Sequence, residues 1–276
     1  MTKHIFSVCM LLFLFVVSLS AQRDTLADFR IKGAAIGISA PELVADMMVT
    51  MPGLGSDARE MINQQSVKPY LMPPREADSR AVLQSYVISA AMEFYTNFRK
   101  NYKVNLSPDF VSLQLEQPGT QDIRQILRFL VTDGTVPADF LPFGASRIPA
   151  GVEPPVRFRI ANYLQLFPPE ARSLQKVFEI QKALMRGNPV IVHMALPESV
   201  KTVSDTRFWA PSVPAGSTDS PLLPFLVVSY NLDLDAFEIM GPWGPEWGSD
   251  GYLWLKFDDV GRYCKEAFVL VPDKKG

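Results

Sequence analysis

Apolar residues in the first part of the chain recur every three or four positions, which is the period of a helix buried on one face. The clearest repeat covers Leu83 to Lys100 and contains neither Pro nor Gly. A second helix is predicted to begin at Pro108, with Ser107 as its N-cap. Two more are predicted from Thr120 to Asp133 and from Leu174 to Arg186.

The period changes from helix to strand after Gly187. Helices followed by strands predict an α+β fold, with a helical half at about residues 66–150 and a β-rich half at about residues 151–272. Four runs rich in β-branched and aromatic residues predict strands, and these runs are Val190 to Leu196, Leu226 to Tyr230, Ala236 to Met240 and Tyr252 to Phe257.

A long connection rich in Pro, Ser and Gly, residues 204–222, joins the first two predicted strands. It carries two large aromatic side chains, Phe208 and Trp209. Long loops on a rigid scaffold are usual positions for binding residues. Phe208 and Trp209 are therefore candidate binding residues.

The N-terminus has the three successive regions of a secretory signal peptide and is similar to bacterial ones. Lys3 and His4 precede an apolar run from Ile5 to Leu19, and the small residues Ser20 and Ala21 follow. An uncleaved anchor is the alternative, but this run is short of the roughly 20 residues that span a bilayer. We expect cleavage of residues 1–21, no transmembrane span afterwards, and a periplasmic, outer-membrane-associated or secreted protein.

Residues 22–65 show no sustained period and are predicted to form an N-terminal extension. We expect this extension to be ordered and to pack on the domain that follows it. The domain is predicted to cover residues 66–272.

Composition argues against several kinds of site and partner. The formal net charge of −2 is too small to indicate nucleic acid or an anionic membrane. Without residues 1–21 the chain keeps one histidine, His193, and one cysteine, Cys264, so no internal disulfide can form. His193 is interpreted as a strand histidine with satisfied hydrogen bonds, and Cys264 as a half-buried hydrophobic residue. Because no zinc, calcium or phosphate-binding pattern occurs, we predict no metal, no cofactor and no nucleic-acid partner.

One segment near the C-terminus has a pattern that rarely arises from composition. It reads Gly241-Pro-Trp-Gly-Pro-Glu-Trp-Gly-Ser-Asp-Gly-Tyr252. It resembles the papain family of cysteine peptidases, in which the segment reads N-S-W-G-x-x-W-G-x-x-G-Y and its Asn orients the catalytic His. In this match the Asn position is Gly241. Trp243 and Trp247 match the family's tryptophans and are interpreted as aromatic core, with ligand binding as the alternative.

Two further parts of the chain carry the resemblance. The run Pro224 to Tyr230 is similar to the family's H-A-V-x-V-V-G-Y strand, which puts the catalytic His on Leu223. Arg75-Glu-Ala-Asp78 is similar to R-D-Q-G, and Glu93 matches the Glu that follows the nucleophile by ten residues. This register needs no gap.

The favoured register places the family's nucleophile on Leu83 and its oxyanion-binding Gln on Ala77. A second register, which needs a two-residue insertion, places the nucleophile on Ser85. The sequence therefore offers two positions for the nucleophile, Leu83 and Ser85.

The resemblance implies a papain-like fold with a cleft between its two halves. The four matched positions carry Leu, Leu, Gly and Ala, which supply no nucleophile, no base and no oxyanion donor. We therefore predict that the chain is not an enzyme but a pseudopeptidase, which binds a peptide or protein or serves in a cell-envelope assembly. The alternatives are an active hydrolase that uses Ser85 or His193, and a regulator of an active relative.

Overall fold

This computed structural model describes residues 36–52, 62–77, 82–100, 103–115, 122–151, 153–154, 156–212 and 220–273. Residues from Gly37 onward form one compact unit. The predicted signal peptide lies outside the described residues. Within the described ranges, no helix is both long enough and apolar enough to cross a bilayer.

Six α-helices lie wholly within the described residues. Their bounds are α1 Pro41–Met47, α2 Leu83–Lys100, α3 Pro108–Gln114, α4 Ile123–Thr132, α5 Ser173–Met185 and α6 Phe257–Tyr263. Short 3-10 turns cover Lys68–Tyr70 and Glu198–Thr202.

Seven strands accompany these helices in the same residues. Their bounds are β1 Gln64–Ser66, β2 Ile160–Gln165, β3 Val190–Ala195, β4 Leu222–Asn231, β5 Ala236–Met240, β6 Tyr252–Lys256 and β7 Cys264–Pro272. The α+β prediction is confirmed, and α2 has the predicted bounds. Five elements were not predicted from the sequence, and these are α1, α6, β1, β2 and β7.

Side chains fix the starts of two helices. The Ser107 hydroxyl accepts a hydrogen bond from the N–H of Phe110 at 3.2 Å, so the predicted N-cap of α3 is confirmed. α4 begins later than predicted, because the Asp122 carboxylate accepts from the N–H of Arg124 at 3.1 Å and caps the helix there.

The strands form one antiparallel sheet in the order β2–β7–β3–β4–β5–β6, and β1 pairs with the C-terminal end of β4. β7 comes from the end of the chain and lies between β2 and β3. α2 lies against one face of this sheet. The cluster between them includes Val87, Ile88, Ala91, Phe94 and Tyr95 of α2 with Ile191, Leu226, Val228, Phe268 and Leu270 of the sheet.

α5 buries Val177, Ile180 and Leu184, and none of these belongs to the α2 cluster. Because α5 also contacts β3, β4 and β7, it lies on the other face of the sheet. The two helices therefore enclose the sheet from opposite sides.

The described part of the predicted extension is ordered and packs on the domain. Ile38 pairs with Leu164 in a parallel bridge at the free side of β2. The buried Asn188 donates to the Val49 carbonyl at 2.6 Å and accepts from the Tyr95 hydroxyl at 2.8 Å. One amide thus links the extension to the central helix.

Candidate functional site

The candidate site forms where the chain after β5 meets the segment before α2. Gly241 directly follows β5. The N–H of Ala77 donates to the Pro242 carbonyl at 2.9 Å, and the N–H of Gly244 donates to the Arg75 carbonyl at 3.1 Å. The structure therefore brings together the Ala77 and Gly241 positions that the resemblance selected.

Leu83 is the first residue of α2 and is half-buried. Tyr86 and Ala90, in the turns that follow, line a small cavity together with Gly241. The part of α2 from Tyr86 to Glu93 therefore faces Gly241. Residues 78–81, which connect Ala77 to this helix, lie outside the described residues.

Leu223 lies near the start of β4, is 4% exposed and pairs with Met194 of β3. Two residues further on, the Phe225 ring lies 5.5 Å from the Trp243 ring. Leu223 therefore lies at the same end of the sheet as the segment that begins with Gly241.

Aromatic rings fill the space beside Gly241. A Cβ atom on this residue would lie 2.6 Å from Cε3 of Trp243 and 3.0 Å from Cζ3 of Trp247. Any side chain, including the Asn of the papain family, would have to displace these rings. Glycine at this position is therefore a packing requirement of the present arrangement.

The two tryptophans have different exposures. Trp247 is 2% exposed, and its Nε1–H donates to the Val200 carbonyl at 2.6 Å. Trp243 is half-buried, with its ring 5.2 Å from that of Trp247. Trp247 lies in the aromatic core, while Trp243 keeps a surface that a ligand can contact.

The other two candidate binding residues, Phe208 and Trp209, lie along β6. Phe208 is 45% exposed and bridges Trp254, and the N–H of Trp209 donates to the Trp254 carbonyl at 3.1 Å. The guanidinium of Arg207 lies 5.6 Å from the Phe208 ring. Phe208 is the more accessible of the pair, because Trp209 is half-buried.

A buried ion pair supports the helical side of the site. Arg75 Nη2 donates to both carboxylate oxygens of Glu93 at 2.6 Å, and the N–H of Leu106 donates to Glu93 Oε1 at 2.6 Å. Burial raises the pKa of Glu93 to about 7, against the opposite effect of Arg75. Arg75 and Glu93 are the two residues that selected the favoured register, and the structure joins them.

Ser85, the alternative nucleophile, is 1% exposed. Its hydroxyl accepts a hydrogen bond from Ser112 at 3.1 Å, and another hydroxyl cannot serve as a general base at neutral pH. This environment offers Ser85 neither access to a substrate nor activation.

Cys264 is the one cysteine among the described residues, and it is fully buried rather than half-buried. Burial raises the pKa of its thiol to about 12, so the thiolate is scarce at neutral pH. The Lys176 ammonium donates to the Cys264 carbonyl, not to its sulfur. The arrangement is that of a packed structural cysteine.

His193 departs from the prediction that its hydrogen bonds are satisfied. The side chain is buried in β3, and neither ring nitrogen has a hydrogen-bond partner. Its Nδ1 lies 3.7 Å from Oε2 of Glu266, which is longer than a hydrogen bond. Glu266 Oε1 accepts from Arg124 Nη1 at 2.6 Å. The nearby His193 ring, although too distant for a hydrogen bond, and then the Arg124 guanidinium lower the pKa of Glu266 below its usual value, against the opposite effect of partial burial.

Sequence reasoning missed Glu266 and Arg124. Glu266 is a charged residue directly before the apolar run Ala267 to Val271, and a charge at that position could have indicated a buried ion pair. Nothing in the spacing connects it to Arg124. No group of three or more potential metal ligands occurs among the described residues.

No protein-family model and no curated protein matches the chain. Solved structures do match. Xylellain, a cysteine protease from Xylella fastidiosa, is 16% identical with a TM-score of 0.57, over 80% of this chain and 91% of that one. Digestive procathepsin L 3 of Tenebrio molitor larval midgut is 13% identical with a TM-score of 0.61, over 94% and 90%. The Carica candamarcensis cysteine protease CMS1MS2 is 14% identical with a TM-score of 0.58, over 77% and 99%.

The chain therefore has a papain-like fold, as its resemblance to the papain family implied. At these identities the likeness shows the fold alone. The prediction that the chain is not an enzyme is contradicted by this comparison, because the similar structures include proteins described as cysteine proteases. The corrected statement is that the chain has a fold that is found in enzymes, so the fold points to an enzyme rather than away from one.

Proposed function

We propose that the chain is an exported protein that binds an extended segment of a partner protein at the candidate site. The observation that carries this proposal is the meeting of the Ala77 and Gly241 positions beside α2 in a papain-like fold. These are the positions at which the resemblance to the papain family locates substrate contact.

The side chains at this place suit recognition of a peptide. Leu83 and Trp243 are half-buried and present apolar surface. Binding an extended peptide depends on apolar contacts and main-chain hydrogen bonds. Interactions that hold an unreacted peptide need not include the groups that stabilise a transition state.

The order of residues 1–21 supports export, and export brings the chain to the cell envelope or beyond it. A partner in that location is therefore part of the proposal. The small net charge of −2 favours a protein partner over a polyanion.

The test is a screen of the purified protein against an immobilised peptide library, followed by calorimetry with the best peptide. Leu83→Asp and Trp243→Ala should each weaken binding at least about tenfold, or about 1.4 kcal/mol. Phe178→Asp is the matched control, because Phe178 is 60% exposed on α5, at the other face of the sheet. Absence of binding, or equal loss in the control, would contradict the proposal.

Peptide turnover is measured in the same samples by mass spectrometry, because the fold is shared with proteases. Cleavage that disappears in Ser85→Ala or His193→Ala would replace the binding proposal with a hydrolase that uses that residue. Cleavage that both variants retain would direct attention to other residues.

A further inference from the structure

The solvent-facing side of α5 carries three large apolar side chains. Leu174 is 84% exposed, Phe178 is 60% exposed and Met185 is 39% exposed. Their spacing of four and seven residues puts all three on one face of the helix. The opposite face is also apolar and is buried against the sheet, so α5 has apolar residues on both sides. A helix of this kind is normally covered on both sides.

The charges beside this apolar face neutralise one another. Glu179 and Lys182 form an ion pair of 2.9 Å along the same side of α5, and both are partly exposed. This ion pair therefore adds no net charge beside the face. An anionic membrane prefers a helix whose polar side is dominated by Lys and Arg, and here Glu179 offsets Lys182.

We propose that this face of α5 pairs with the same face of a second copy of the chain. In an antiparallel pairing around a two-fold axis that crosses the exposed face of α5 at the level of residue 180, Leu174 lies opposite Met185 of the second copy. Phe178 lies near its counterpart. Glu179 then lies opposite Lys182 of the second copy, and Lys182 lies opposite Glu179 of the second copy. Each chain thus supplies one member of each of two ion pairs.

The apolar and charged positions on this face match those of a second copy, and this match favours a second copy as the partner. A two-fold interface needs one patch whose apolar and charged positions match themselves after rotation. Glu179 and Lys182 lie on one flank of the apolar face and, along the helix axis, on either side of its midpoint. One pair of short helices lies at the low end of the size of specific interfaces, so we expect a micromolar dimer.

The interface would leave the candidate site accessible. α5 lies on the face of the sheet opposite α2, and the Gly241 segment contacts the α2 side. Dimerisation and peptide binding are therefore separate properties, and failure of one leaves the other standing.

The test is sedimentation velocity over nanomolar to high micromolar protein concentrations. The wild type should show a reversible monomer–dimer equilibrium, and Phe178→Asp should raise the dissociation constant at least tenfold. Phe208→Asp is the matched control, because Phe208 is 45% exposed at a different position, and it should leave the constant unchanged. Circular dichroism should show the same fold in all three proteins.

A charge exchange tests the orientation of the pair. Glu179→Lys alone and Lys182→Glu alone should each weaken the dimer, because like charges then face each other across the axis. The double variant should restore it. A monomer at every concentration, or a dimer insensitive to Phe178→Asp, would overturn the proposal. A monomer that binds lipid vesicles through Phe178 would also overturn it, in favour of a membrane.

Discussion

Glu93 on α2 and His193 on β3 are both almost fully buried, yet their surroundings differ. Glu93 accepts hydrogen bonds from Arg75 and from the Leu106 N–H. His193 has no hydrogen-bond partner at either ring nitrogen, although Glu266 lies 3.7 Å away. Both side chains are ionisable, and only Glu93 is hydrogen-bonded to its counter-charge.

The difference shows that burial alone does not tell how much a polar side chain matters to stability. Removing one partner from a buried, bonded charge leaves the other without compensation. Removing a polar group that already lacks partners has no such cost. The Glu93 cluster should therefore be sensitive to substitution, and the His193 position should be tolerant.

Breaking the Arg75–Glu93 pair should have the largest effect. Arg75→Met should lower the free energy of unfolding by about 3 to 5 kcal/mol at about pH 8, where Glu93 is largely ionised. The loss should be smaller at about pH 5, because a carboxyl with a pKa of about 7 is then already neutral. Urea denaturation at both pH values measures the difference.

The control for this prediction is Arg262→Met. Arg262 also forms an ion pair, with Asp258, but its side chain is 57% exposed. Exposed pairs contribute less than about 1 kcal/mol. Equal losses in the two variants would mean that the burial of Glu93 is energetically unimportant.

The pH dependence of stability should also identify Glu93. Its pKa rises from 4.5 to about 7 on folding, so the folded state favours the neutral carboxyl. This contribution is complete below about pH 4.5 and is lost as pH rises through about 7, with a total of about 3 kcal/mol. Urea denaturation of wild type and Glu93→Gln across this window measures the effect. The stability of the wild type relative to the variant should fall as the pH rises from about 4.5 to about 7. Parallel pH profiles would show that Glu93 does not titrate there.

The smallest effect should come from His193. We expect His193→Leu to change the free energy of unfolding by less than about 1 kcal/mol, because no hydrogen bond is lost. Asn188→Leu is the comparison, since Asn188 is equally buried but bonds Tyr95 and Val49, and it should cost about 2 kcal/mol or more. Equal costs for the two variants would indicate that His193 has a partner, such as a bound water.

Helical periodicity predicted α2 because its signal is local and uninterrupted. The Ser107 cap is a local signal too, and both predictions are confirmed. β7 was missed although Ala267 to Val271 is an apolar run like those of the predicted strands. β2 is harder, since its six residues, buried on both faces, show no alternation that separates a strand from a helix turn.

The candidate site was only partly accessible from the sequence. The Trp-Gly motif and the two anchors Arg75 and Glu93 located the segments that the structure brings together. The packing of Trp243 over Gly241 could not be predicted, because a glycine in a sequence does not tell what occupies the space beside it. The contact of Arg124 with Glu266 depends on α4 and β7 meeting in three dimensions.

The two edge strands of the sheet, β2 and β6, are each paired on their free side by a short segment that belongs to no strand. Ile38 pairs with Leu164 of β2, and Phe208 pairs with Trp254 of β6. A bare edge strand offers unpaired N–H and C=O groups to any other strand it meets. Because each outer strand is paired at one position on its free side, strand-by-strand aggregation is hindered there. Trimming the residues around Ile38 should expose more of β2 and increase fibre formation.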